Sequence, residues 1–234
     1  MGSGRSVSRS ETVEQYLRRL GSNDPTPGAG AVGAIHAAQA AALIGMVANF
    51  SKPAEGSGPS AANGQHGSGS AASQGGSGTS GRDFEGILSE ADELTRTALQ
   101  AAESDEEKFG RVVDCYKLPS GSDEERAKRT AAIREALVEA TLPARAQLDL
   151  ATAVVRLGEE LLDVCKADLL SDIAVAAEAA RAAAATARIT VEANLAPIPE
   201  DSLQESLREH TQKADGVVRR AEELSALVRQ RVLK

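Results

Sequence analysis

Between Asp24 and Lys52 the chain reads "PTPGAGAVGAIHAAQAAALIGMVANFS", with no acidic or basic side chain and a majority of glycine, alanine and other small residues. A segment of this kind is either a helix covered on most sides by its neighbours or a helix crossing a bilayer, which needs about 20 apolar residues. Glycine and alanine contribute little transfer free energy, and His36, Gln39 and Asn49 would each be costly in lipid. The expectation is a buried structural helix and no membrane partner. Residues 1–22 hold no continuous apolar run ahead of a small-residue cleavage site, so the chain reads as cytoplasmic.

The rest of the composition narrows what can surround such a helix. Aromatics make up 2% of the 234 residues and tryptophan is absent. The core must therefore come from Ala, Leu, Val and Ile, which favours helices in close contact. A net charge of -8 offers no broad basic surface, which argues against a nucleic acid partner. Cys115 and Cys165 form no CxxC pair and read as reduced thiols, while His36, His66 and His210 are too scattered to suggest a metal site.

One stretch interrupts the chain: "GSGPSAANGQHGSGSAASQGGSGTSG", residues 56–81, has no charge, no aromatic and no aliphatic larger than alanine. It cannot bury enough apolar surface to offset its ordering entropy, so it reads as a flexible insertion, with His66 solvated. Around it the expectation is a single helical domain over residues 8–234. "SRSETVEQYLRRLG" places Ser8 and Glu11 at capping-box spacing ahead of a short helix with Val13, Tyr16, Leu17 and Leu20 on one face. A second helix is the uncharged segment, and a third runs over about 83–116. Pro119 and Gly121 break it, and Ser122 with Glu125 supplies a capping box for a helix to about Ala140. Pro143 begins a continuation to about Val164. An alanine-rich helix ends near Asn194, and a charged amphipathic helix fills about 202–232. The pattern is that of an all-α, up-and-down bundle in which the two long Ala/Gly-rich helices pack tightly at the centre.

Few residues suggest chemistry on their own. In "TPGAG", Thr26 fits a helix cap and Pro27 a first turn, and Gly28 and Gly30 leave backbone amides open to an oxyanion. Asp105 lies one helical turn from Phe109, and an aspartate among apolar neighbours has its pKa raised toward the range useful for proton transfer. Ser171 and Asp172 sit where a helix should begin, and capping accounts for both. Lys117 and Asn194 are unremarkable in isolation. No GxSxG, P-loop or dinucleotide fingerprint is present.

In order, "TPGAGAVGA", "GMVAN", "DEEKFGRVVDCYKLP", "EERAKRTAAIREALVEATLP", "SDIAVAAEAA" and "ANL" resemble the landmarks of the cyclodeaminase/cyclohydrolase family. That family includes the C-terminal half of formimidoyltransferase-cyclodeaminase and the bacterial methenyltetrahydrofolate cyclohydrolases. The resemblance implies a dimeric helical enzyme acting on a tetrahydrofolate derivative as substrate, with no metal or redox cofactor. A cyclodeaminase closes the folate N10 onto the N5-formimidoyl carbon and releases ammonia, and a separate formimidoyltransferase is then a possible partner. The cyclodeaminase reaction is the expectation; the alternatives are a cyclohydrolase, which uses water to open the methenyl bridge, and a repurposed member of the family that binds another small molecule or serves as a scaffold.

By the same resemblance Asp105 is the general acid/base. Thr26, Pro27, Gly28 and Gly30 line the substrate pocket, and Lys117, Asp172 and Asn194 are further candidates for substrate contacts. Four positions depart from the family pattern. The glycine run after the proline is Gly28-Ala29-Gly30-Ala31, Cys165-Lys166 replaces Gly-Asn, Thr190 replaces the first of two asparagines, and a basic stretch is divided between Lys52 and "GRDF".

Overall fold

The computed structural model describes residues 11–52, 84–196, 198 and 200–234. The insertion at 56–81, His66 and Ser8 lie outside the described residues. Seven α-helices occupy the described chain: α1 (Val13–Leu20), α2 (Ala29–Ser51), α3 (Phe84–Tyr116), α4 (Asp123–Glu139), α5 (Leu142–Leu161), α6 (Leu170–Leu195) and α7 (Asp201–Val232). A 3-10 turn, Ala167–Leu169, leads into α6, and no strand occurs among the described residues. The fold is the expected all-α bundle.

Helix starts follow local chemistry in some places and not in others. Ser122 accepts from the Glu125 amide and the Glu125 side chain returns to the Ser122 amide, the reciprocal pair that fixes α4. For α1 that pair is Thr12 and Gln15, so the box sits at Thr12 and not at Ser8. Glu11 instead accepts from the Arg19 guanidinium. Ser171 and Asp172 do not cap α6: the cap position is Leu169, without a side-chain bond, and both residues fall in the first helical turn.

Interlocking contacts set the directions. Gly30 lies against Asp105 and Gly45 against Ala91, so α2 and α3 run antiparallel; Gly33 meets both Gln147 and Thr186, and Gly158 meets Ile44, Ile173 and Leu224. Helix α5 is therefore parallel to α2, and α6 is antiparallel to both. Helix α7 packs on α5 and α6. Glu139 at the end of α4 pairs with Arg111 and Lys108 of α3. Helices α4 and α5 thus form one interrupted arm running back along α3, with Pro143 in the first turn of the second half.

The tight central contact has a specific cause. A Cβ at Gly33 would lie 2.1 Å from Gln147 Nε2 and 2.7 Å from Thr186 Cγ2, so α2, α5 and α6 approach as they do only because that position carries no side chain. Gln147, 1% exposed, donates to the Ala183 carbonyl at 2.6 Å and cross-links α5 to α6 through this gap. Ile44, Leu148, Leu157, Leu161, Ile173, Leu195 and Leu224 fill the remaining interior. Helix α2 is long and apolar enough to cross a membrane by composition, but most of it is buried among α3, α5 and α6.

Candidate active site

Helix α2 begins without a cap of its own. Its N-cap residue is Gly28, which has no side chain to offer, and the turn before it contains a cis Thr26–Pro27 bond. Thr26 is thus not the cap and Pro27 is not in the first turn, because the helix starts two residues later than the sequence pattern suggests. The missing acceptor comes from α3: Asp105 Oδ2 accepts the Ala31 N–H at 2.9 Å. Ala31 is the third helical residue, one of the amides an N-cap side chain ordinarily serves.

Gly30 makes this arrangement possible. A Cβ there would fall 1.9 Å from Asp105 Oδ1 and 2.4 Å from its Cγ, inside the carboxyl group, whereas a Cβ at Gly28 would meet nothing within 4 Å. The turn is therefore glycine-dependent at Gly30 through a close approach and sterically open at Gly28.

Asp105 is 8% exposed. Burial pushes its carboxyl up from the ordinary 3.8, the Ala31 amide holds it down, and neighbouring Glu106 pushes it up again, leaving it at about 6. Such a group is mostly ionised at neutral pH yet close enough to balance to accept and return a proton. Phe109, one turn on, is 39% exposed, so α2 rather than Phe109 supplies the close packing around the carboxyl.

The charge beside it is neutralised from α1. Arg19 Nη1 and Nη2 donate to the two Glu106 oxygens at 2.5 and 3.0 Å, a forked pair, while its Nε and Nη2 reach Glu11 at 2.9 and 3.1 Å. The Tyr16 hydroxyl is buried on this same helix without a hydrogen-bond partner among the described residues. Sequence periodicity assigns Tyr16 only to an apolar face. Yet Val13 and Leu17 of that face are 77% and 56% exposed, and the polar end of Tyr16 is the part that is buried.

The end of α6 comes to the same end of the bundle, because α6 runs antiparallel to α2 from Thr186 opposite Gly33. Asn194 is 7% exposed, and Thr190, one turn before it, has a buried hydroxyl with no partner among the described residues. Lys117 and Asp172 are not brought together with them. Lys117 lies twelve residues past Asp105, about 18 Å along the axis at about 1.5 Å per residue, and its ammonium pairs with Asp114 at 2.7 Å. Asp172 precedes Thr186 by fourteen residues, about 21 Å toward the opposite end of the bundle. Within one chain the 26–30 turn, Asp105, Tyr16 and the end of α6 therefore share one end of the bundle. Among the described residues no three His, Cys, Asp or Glu side chains cluster to hold a metal ion.

This geometry has relatives. The family described as formiminotransferase-cyclodeaminase matches residues 12–213. A methenyltetrahydrofolate cyclohydrolase of Methylorubrum extorquens is 31% identical over 184 residues, covering 79% of each chain. The formimidoyltransferase-cyclodeaminase of Rattus norvegicus is 28% identical over 200 residues, which are 84% of this chain and 33% of the rat protein; the chain thus matches about a third of that relative's length. A crystal structure of formiminotetrahydrofolate cyclodeaminase from Thermotoga maritima superposes with a TM-score of 0.72 at 22% identity, covering 94% of this chain and 98% of that one. By the family match over residues 12–213 and the identity to the Methylorubrum relative, the chain belongs to the cyclodeaminase/cyclohydrolase family.

Proposed function

We propose that the protein is an enzyme of one-carbon metabolism in which Asp105 moves protons at the carbon bridging N5 and N10 of a tetrahydrofolate, and that the reaction is opening of the methenyl bridge by water. The single observation that carries this reading is the buried Asp105 carboxyl seated on the α2 amide turn, with its pKa raised to about 6 by burial. At neutral pH its ionised form takes a proton from water as the oxygen adds to the electrophilic methenyl carbon. As the C–N5 bond of the resulting carbinolamine breaks, protonated Asp105 returns its proton to N5 and the hydroxyl releases its own proton to water as it becomes the formyl oxygen, giving 10-formyltetrahydrofolate and one free proton. The hydrolytic direction is favoured over deamination by the similarity to the Methylorubrum cyclohydrolase, which extends over 79% of both chains.

Cyclodeamination is the second reading, favoured by the overall match to the Thermotoga cyclodeaminase. There N10 attacks the formimidoyl carbon and the protonated group delivers its proton to departing ammonia. Near-ultraviolet absorbance separates the two: decay of methenyltetrahydrofolate faster than in buffer supports hydrolysis, and its appearance from the formimidoyl compound supports deamination. Absence of both rejects the enzyme and leaves a folate-free scaffold role.

A homodimer is part of this proposal. Helix α2 carries half-buried Val32, Ile35, Leu43 and Met46 on its uncharged outer side, Ile35 and Leu43 also packing on the core, and α6 exposes Val175 and Ile189 at 56% and 60%. Self-association of these faces about a two-fold normal to the helices would carry the partner's α6 start toward this chain's cleft, the one route by which Asp172 reaches a folate. Sedimentation of a monomer at micromolar concentration rejects it.

A further inference from the structure

Like the Thr190 hydroxyl, that of Tyr16 is buried without a structural explanation, and it lies among the charged groups beside Asp105. The Tyr16 hydroxyl is inaccessible to water and makes no hydrogen bond among the described residues, although buried hydroxyls in folded proteins are almost always paired. Asp105 Oδ2 accepts from the Ala31 amide and both Glu106 oxygens accept from Arg19, and among the described residues no acceptor lies within hydrogen-bond reach of the phenol. Glu106, Arg19, Asp105 and Glu11 all act electrostatically on the phenol, and burial together with the carboxylates raises its pKa, which keeps the proton on the oxygen. The group is therefore a hydrogen-bond donor held beside Asp105 with nothing to donate to.

Packing does not require it. Helix α1 contributes no buried residue, and its apolar positions Val13 and Leu17 face outward. A phenylalanine would fill the same volume without leaving a polar atom dry. Helix α1 is tied to α3 by the Arg19–Glu106 fork, which holds Tyr16 on the Asp105 side of the bundle.

Resting on the reading of the site given above, we propose that the Tyr16 hydroxyl contacts the substrate, donating a hydrogen bond to the oxygen or nitrogen carried by the carbon on which Asp105 acts. In hydrolysis that atom is the oxygen derived from water, which gains carbonyl character as the bond to N5 breaks. In deamination it is the nitrogen that leaves. A donor aimed at an atom whose charge changes during reaction acts chiefly on turnover and less on binding.

The test compares Tyr16→Phe with the wild type on methenyl- and formimidoyltetrahydrofolate, with Tyr116→Phe, at a 52% exposed position on α3, as control. The expected result is a fall in kcat of about 10- to 100-fold with KM changed by less than about threefold, a Tm equal to or above that of the wild type, and full activity in the control. Unchanged kcat and KM in Tyr16→Phe, with an active wild type, overturn the role of Tyr16 and leave the Asp105 reading standing. Activity lost together with several degrees of Tm would place the hydroxyl in the fold and also overturn the proposal. A wild type inactive on both substrates overturns both readings at once.

Discussion

Replacing Asp105 by asparagine separates a carboxylate kept for chemistry from one kept as a helix cap. Asparagine retains an oxygen that can accept from the Ala31 amide, so the cap survives while the ionisable group is removed. In the wild type the folded carboxyl has its pKa raised from 3.8 to about 6. A group shifted upward contributes stability that is whole below pH 3.8 and is lost as pH rises through about 6. At about 1.4 kcal/mol per pH unit the loss amounts to about 3 kcal/mol by pH 7.5. The asparagine amide adds a cost of its own, an imperfectly paired donor, but that cost does not vary with pH. The quantity to measure is therefore the difference in Tm between variant and wild type, followed by calorimetry from pH 4 to 7.5. For a chain of this size about 2–4 °C accompanies each kcal/mol, so the difference should move in favour of the variant by about 6–12 °C over that range. His210, buried with its pKa lowered chiefly by desolvation, contributes stability that is lost as pH falls, but it does so in both proteins and cancels. A difference that stays flat, or that moves toward the wild type as pH rises, would refute the reasoning, because it would mean that ionised Asp105 stabilises the fold.

Gly30→Ala should abolish turnover while Gly28→Ala keeps it, since the new methyl falls 1.9 Å from Asp105 Oδ1 in the first case and meets nothing within 4 Å in the second; paired steady-state kinetics decide. Gly33→Ala should lower stability by about 2–4 kcal/mol in urea titration, a cost of overpacking together with a lost buried hydrogen bond, because it displaces Gln147 from the Ala183 carbonyl. Arg19→Ala leaves Glu106, 9% exposed, without its guanidinium and should cost about 3 kcal/mol, much of it restored by adding Glu106→Gln. Equal stability of the single and double variants would contradict that assignment.

The parts of the site legible in the sequence were those set by local pattern or by packing demand. An uncharged stretch of small residues had to be central, and close approach at Gly33 is the physical form that demand takes. The convergence of Asp105 on the 26–30 turn followed from the order of family landmarks, although the reason for Gly30 did not. Its role is steric, against a side chain 75 positions away, and no local rule reports that. The cap of α2 was misplaced for the same reason: the acceptor comes from another helix, so Thr26 looked like the only candidate. Lys117 and Asp172 lie apart from the turn within one chain because of helix direction. In antiparallel helices a residue's distance from the turn depends on which end of the bundle it occupies, and both lie far along their helices from the cleft. Tyr16 was hidden by periodicity, which records its ring and not its hydroxyl. The position of that oxygen depends on how α1 leans on α3 through Arg19 and Glu106.

The account stands most directly on the pH dependence of kcat/KM for methenyltetrahydrofolate hydrolysis, corrected for the rate in buffer, in wild type and Asp105→Asn. An acid limb with an apparent pKa of about 6 in the wild type, absent from the variant along with most of its rate, is the predicted result. A wild-type profile without that limb, or a variant that turns over at the wild-type rate, would contradict a proton-transferring role for Asp105.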